Sequence, residues 1–381
     1  MIPYGKQTVT DEDIASVVEV LKSDWLTQGP TVPRFEQALA DYTGASHCAV
    51  VSNGTAALHL ACLALELGPG DWLWTSPISF LASANCGLYC GAQVDFVDID
   101  PADANICPKR LSEKLERAQK CGRLPKAVVA VHMAGNPCQL KEIRELLHRY
   151  EVSLIEDACH AIGARYDESR IGDCRYSDIT VFSFHPVKVI TSGEGGALLT
   201  NSDILNQRIR QLREHGICRD PQNFIQTQEG AWYYEQQELG WNYRLTDLQA
   251  ALGLSQLSRC DEAVAERNRI AQIYDQLLSE LPLDTLKPMP GQRSSYHLYI
   301  IKVAEEKRAG LFAHLRSSRI GAQVHYIPIH TQPSYQKLGF SWGDFPAAES
   351  YYRQTLSLPI FPGLSEAEQD HVVASVRDFL S

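Results

Sequence analysis

The chain has 381 residues, enough for two or three domains, and its 44% hydrophobic and 21% charged residues fall in the globular range rather than that of disordered or fibrous chains. Its 35 basic and 46 acidic residues leave a formal charge of −11, so there is no broad cationic field for nucleic acid or an anionic membrane, and any phosphate ligand must be held locally. The start, Met1-Ile2-Pro3-Tyr4-Gly5 with Asp11, Glu12 and Asp13 soon after, lacks the basic and apolar regions of a signal peptide. The apolar run 56–65 is broken by His59 and too short for a bilayer. Eleven cysteines, an odd number with no C-x-x-C pair, argue against a zinc site and a complete disulfide framework; Cys86 and Cys90 read as helix thiols. The expectation is a soluble, cytoplasmic protein without a metal.

In chain order, a helix is expected over 54–65, after the polar start Ser52-Asn53-Gly54-Thr55, and strands over 94–97 and 127–131. A helix over 139–150 follows, then strands over 152–155, 179–182 and 197–200. This alternation implies an α/β fold with a mostly parallel sheet covered by helices. From 245 to about 281 the pattern is one long helical stretch, bent along its length. Beyond Pro282, Pro288 and Pro290 it becomes a smaller α+β unit, with strands over 296–303 and 324–327 and helices over 305–317 and 365–380. The expected division is 1–255 for an N-terminal arm and large unit, and 256–381 for the small one.

Three segments carry chemistry. Val50-Val51-Ser52-Asn53-Gly54-Thr55 ends a strand and opens a helix, where backbone N–H groups and the helix dipole make a phosphate cradle, or where ordinary N-capping accounts for the same residues. Leu154-Ile155-Glu156-Asp157-Ala158-Cys159-His160 brings a buried strand to adjacent carboxylates, and ligands of open parallel sheets bind beyond such strand ends. A buried Asp157 needs a cation or several donors. Ile179-Thr180-Val181-Phe182-Ser183-Phe184-His185-Pro186-Val187-Lys188 runs from a buried strand to a loop lysine, with Gly193-Glu194-Gly195-Gly196 after it. Singly each is weak. Together they supply an amine, an acid and a phosphate cradle, which is the set a pyridoxal 5′-phosphate enzyme requires.

The segments Ser52-Asn53-Gly54-Thr55-Ala56-Ala57-Leu58, Glu156-Asp157-Ala158-Cys159-His160-Ala161-Ile162-Gly163, Ser183-Phe184-His185-Pro186-Val187-Lys188 and Leu239-Gly240-Trp241-Asn242-Tyr243-Arg244-Leu245-Thr246-Asp247 resemble, in order and spacing, the DegT/DnrJ/EryC1/StrS sugar aminotransferases. The resemblance spans essentially the whole chain. It implies the aspartate-aminotransferase type I fold with pyridoxal 5′-phosphate carried by Lys188. It also implies that Asp157 pairs with the pyridine nitrogen, His160 lies by the cofactor O3′ and Phe80 stacks on the ring. Gly54, Thr55 and Ser183 would hold the phosphate, and Asn242 would reach it from a neighbouring subunit, hence a homodimer with shared sites. His185, Tyr326 and His330 are candidate substrate contacts. Cys159 departs from the alanine common in the motif, and a small thiol should be tolerated there.

Within the family the likeness is greatest to the pseudaminic acid branch, through Asp24-Trp25-Leu26-Thr27-Gln28-Gly29-Pro30, the Lys188 loop and 239–247. It implies transfer from L-glutamate to C4 of a UDP-linked 4-keto-6-deoxy N-acetylhexosamine. Amination at C3, or of a dTDP- or GDP-linked sugar, stays open, whereas a non-catalytic sensor on the same fold is disfavoured by the retention of Lys188, Asp157 and Ser183 together. A dehydratase is disfavoured because Lys188 is retained, and a dinucleotide oxidoreductase because no G-x-G-x-x-G follows an early strand.

Overall fold

The computed structural model describes residues 1–227 and 229–381. Seven strands, β1 (His47–Val51), β2 (Trp72–Thr75), β3 (Gln93–Phe96), β4 (Ala127–Val131), β5 (Ser153–Asp157), β6 (Ile179–Ser183) and β7 (Gly196–Thr200), form one sheet in the order β1-β7-β6-β5-β4-β2-β3. Only β7 runs against the others, pairing antiparallel with both β1 and β6. The carboxyl ends of the other six therefore share one edge, where ligands of such sheets bind.

The central strands are apolar because both faces are covered. In β4, Val128 and Ala130 enter one core with Leu111 and Leu115 of α5 (Pro108–Cys121) and Ile143 and Leu147 of α6 (Leu140–His148). Ala127, Val129 and Val131 enter the opposite core with Ala57 and Leu60 of α3 (Gly54–Ala64) and Cys86 of α4 (Ala82–Tyr89). All eleven cysteines are free thiols.

The expected mostly parallel sheet is present, and each expected large-unit strand lies within about two residues of its reading. The strand read as ending at Val50-Val51 is β1 at one edge, and β2, between β4 and β3, is a further strand. The helical stretch 245–281 is two helices, α8 (Asp247–Leu257) and α9 (Cys260–Leu277), parted where Arg259 leaves helical geometry and its guanidinium meets the fully buried Asp13 at 2.8 Å. The division expected after residue 255 falls inside α8. In α9, Cys260 and Val264 pack in the sheet core, whereas Ile270, Ala271 and Tyr274 pack in a second core.

That second core holds a three-stranded antiparallel sheet in which Tyr299–Lys302 lies between Asp284–Thr285 and Thr355–Leu358. Helices Glu305–Ser317 and Glu366–Leu380 cover it, the second opened by a Ser365/Glu368 capping box. The strand expected over 324–327 does not form. The fully buried Thr355–Leu358 takes the place beside Tyr299–Lys302, and only Gln323 bridges to it, at Ser357. Among the described residues no helix is long and apolar enough to cross a membrane.

The segment preceding α2 (Thr31–Thr43) is fastened by one buried carboxylate. Asp247 accepts from the N–H groups of Gly29 and Thr31, both at 2.7 Å, and of Val32 at 3.3 Å. Asp247→Ala leaves buried donors without an acceptor and should lower unfolding free energy by about 3 kcal/mol, read by urea denaturation; a change below about 1 kcal/mol would show that the fastening is dispensable.

Candidate active site

A cavity of about 690 Å³ opens at the shared strand edge. Asp157 enters it from the end of β5, Ser183 from the end of β6, Lys188 and His185 from the loop after β6, and Gly54 and Thr55 from the start of α3. Phe80, His160, His325 and Tyr326 also line it. The predicted residues of the large unit, apart from Asn242, thus converge on one site.

At the start of α3, Asn53 is the N-cap: its side chain accepts from the N–H of Ala56 at 2.8 Å and its carbonyl from that of Ala57 at 3.1 Å. The N–H groups of Gly54 and Thr55 are left without an intrahelical acceptor, as the first residues of any helix are. A Cβ on Gly54 would stand 2.9 Å from Ser183 Cβ and 3.3 Å from Cys159 Sγ, so only glycine lets β6 come this close to the helix start. The result is a small cradle of N–H and hydroxyl donors at a positive dipole end, suited to a phosphate.

Asp157 is 6% exposed. Its Oδ2 accepts from Ser83 Oγ at 2.6 Å and its Oδ1 from the Cys159 N–H at 3.2 Å, and no cation is paired with it among the described residues. The Lys188 amine likewise has neither hydrogen bond nor ion pair there. Burial pushes its pKa below the usual lysine value, opposed by the charge of Asp157. Burial pushes the Cys159 thiol well up, so it remains protonated.

His160 Nε2 lies 3.1 Å from Tyr326 Oη, its ring is 4.3 Å from that of His297, and its buried Nδ1 has no partner among the described residues. Burial, then the charge of Lys188, hold His160 neutral. Phe80 is 58% exposed and faces Tyr326 across the mouth, ring centroids 6.4 Å apart.

His330 does not line this cavity. It is fully buried, with Nε2 3.1 Å from Glu349 of helix Pro346–Gln354 and its ring against Phe345, which turns it away from the substrate space. Asn242 is exposed, outside this chain's cavity, joined to Glu214 by a bridge. Several lining residues were not singled out from sequence. Tyr4 comes from the N-terminal segment, its ring 5.2 Å from His325, and Tyr243 follows Asn242. Ser79 also lines it, and Ser83, in the first turn of α4, stands behind Ser79.

The model of the DegT/DnrJ/EryC1/StrS aminotransferase family matches residues 7–377. The chain belongs to this family. It is 38% identical to the spore coat polysaccharide biosynthesis protein SpsC of Bacillus subtilis, over 100% of this chain and 97% of that one. It is 37% identical to the UDP-4-amino-4,6-dideoxy-N-acetyl-beta-L-altrosamine transaminase of Campylobacter jejuni, over 94% and 92%. Among solved structures, Helicobacter pylori PseC, an aminotransferase involved in the biosynthesis of pseudoaminic acid, superposes with a TM-score of 0.90 at 32% identity, covering 100% of this chain and 99% of that one. The PLP-form of the putative sugar aminotransferase Spr1654 of Streptococcus pneumoniae does so at 0.89 and 26% identity, covering 100% of both.

This DegT-family protein is accordingly a sugar aminotransferase with pyridoxal 5′-phosphate as cofactor. Its residues fit that group. A lysine amine without a partner, a buried carboxylate without a cation, and a helix start with free N–H groups match an aldehyde, a ring nitrogen and a phosphate.

The histidines set a pH limit on stability. His160 and His297 are held well below the ordinary 6.5 and His325 down to about 3, chiefly by burial. The unfolded chain therefore binds these protons more readily, so stability is complete above about 6.5 and falls as pH drops below it. Three such groups remove about 4 kcal/mol per pH unit from about pH 6 downward. Urea titrations at pH 6.0 and 5.0 should show this loss, with His297→Gln reducing the slope by about a third; an unchanged slope would mean that His297 is not held neutral.

Proposed function

We propose that the protein transfers an amino group from L-glutamate to C4 of a UDP-linked 4-keto-6-deoxy N-acetylhexosamine, as a homodimer with shared sites. The observation that carries the transaminase reading is the convergence, in one cavity, of the unpaired Lys188 amine, the cation-less Asp157 and the donors at Gly54 and Thr55. The activity of the Campylobacter jejuni relative supports the sugar, and the exposed Asn242, outside its own chain's cavity, is available to a second copy. We also read the chain as a large cofactor-binding unit to about residue 255 and a smaller one beyond it.

When bound, the cofactor withdraws the electrons left behind as a proton departs from the amino donor. Lys188 would hold the cofactor and, once displaced by the donor, would take the proton from the donor Cα and deliver it to the cofactor C4′. Its burial-lowered pKa suits a group that must alternate between base and acid. Asp157 holds a proton on the ring nitrogen. Gly54, Thr55 and Ser183 would hold the phosphate, Phe80 would stack on the ring, and neutral His160 would lie by O3′. His185 and Tyr326 meet the substrate at the mouth, where Phe80 and Tyr326 help exclude water. The equally similar Bacillus subtilis relative, of spore coat polysaccharide synthesis, favours a second reading in which another nucleotide-linked keto sugar is the acceptor.

A panel of UDP-, dTDP- and GDP-linked keto sugars, scored for product and position of amination, tests the assignment. Amination at C4 of the UDP-linked sugar is expected; transfer only to another acceptor would overturn it. Lys188→Arg should lower kcat by about 10³-fold or more and abolish the borohydride-trapped cofactor adduct, whereas an adduct at another lysine would displace Lys188 from its role.

A further inference from the structure

Ser83 and Ser79 lie behind Asp157 in a buried chain of hydroxyls. Ser83 Oγ is 2.6 Å from Asp157 Oδ2, and Ser79 Oγ is 2.6 Å from Ser83 Oγ. Ser83 is fully buried and Ser79 is 3% exposed. A carboxylate only accepts, so Ser83 must give its single hydroxyl proton to Asp157, and Ser79 must in turn donate to Ser83. The two O–H dipoles therefore point the same way, and each strengthens the other in a low-dielectric setting. The chain is anchored by its backbone: Ser83 begins the first turn of α4, where its N–H meets the Phe80 carbonyl at 3.3 Å and its carbonyl accepts from Cys86 Sγ at 3.4 Å. The segment that places Phe80 over the cavity thus also places the donor to Asp157.

We infer that Ser83, backed by Ser79, is a positioning residue that sets the basicity and direction of Asp157 and so keeps the proton on the cofactor ring nitrogen; this rests on the reading of Asp157 as that nitrogen's partner. A proton shared between a carboxylate and a pyridine goes to the stronger base. Each hydrogen bond given to the carboxylate weakens it as a base and leaves the proton on nitrogen. Among the described residues Asp157 has no ion pair to do this, so the task falls to its hydrogen-bond donors Ser83 and the Cys159 N–H, and Ser83 makes the shorter contact. Ser79 acts only through Ser83 and should count for less.

The test loads apoenzyme with pyridoxal phosphate labelled with ¹⁵N in the ring and reads the nitrogen resonance, the cofactor dissociation rate and the kinetic constants. Ser83→Ala should move the resonance toward that of an unprotonated ring nitrogen and lower kcat by about tenfold, the scale of a hydrogen bond to a charged group, with KM for the sugar nucleotide nearly unchanged. Ser83→Thr, which keeps the hydroxyl, should restore the resonance, and Ser79→Ala should fall between wild type and Ser83→Ala. A Ser83→Ala protein that has a lower Tm but a wild-type nitrogen resonance and dissociation rate would overturn the inference, since a purely structural serine gives that result. Asp157→Asn separates the two readings: if it also leaves the resonance unmoved, Asp157 is not the nitrogen's partner, whereas a shift in Asp157→Asn without one in Ser83→Ala removes only the role of Ser83.

Discussion

Asp157 stands at the end of β5, beside the buried Glu156, at 6% exposure and with no ion pair to it among the described residues. An anion so placed is costly unless donors surround it, and two donors, one hydroxyl and one amide, only partly replace the water it has lost. Its open side faces the cavity. On the proposed assignment, a protonated ring nitrogen delivered there would complete the set, so that holding the cofactor and relieving a buried charge would be one event. The Lys188 amine is also left without a partner, in reach of the same space. Had the two been brought together as a salt bridge, neither would be available to a ligand.

The sheet makes this arrangement possible. Because β5 and β6 are parallel neighbours, Asp157 and Ser183 emerge at one edge, with Asp157 paired in register to Val181. The reversal at β7 brings the chain back after the Lys188 loop and lays Gly196 against Ser183 on one side and Val51 on the other, closing β1 and the start of α3 onto the site. Neutral histidines complete the surroundings. With His160, His297 and His325 held uncharged by burial, none competes with a cationic ligand for Asp157.

Much of this was legible in the sequence because it is written in contiguous segments. Val50 to Thr55, Leu154 to His160 and Ile179 to Lys188 each contain a strand end and the polar residues beyond it, so period and chemistry sit side by side. Where the signal depended on distant partners it failed. The four residues of β2 contain two tryptophans and are too short to show a period, and they are strand only because β3 and β4 flank them. The run 324–327 has strand-like residues, yet Thr355–Leu358 occupies the sheet position it would need. His330 stands in a motif with Tyr326 four residues away; one faces the cavity and the other is buried against Glu349.

The sequence by itself determined the layered α/β plan by local pattern, the family and its cofactor by the resemblance of ordered motifs, and pointed to the proposed amine, acid and cradle: buried strands are continuous apolar runs, and a helix start presents free N–H groups whatever surrounds it. Only the tertiary structure decided which residues complete the site. Tyr4, Tyr243, His297 and the Ser79–Ser83 pair come from separated stretches, and their place depends on how strands order and cores close. Periodicity reports which face of an element is buried, but not what lies opposite it; that Asp157 meets a serine rather than a cation is a fact of packing.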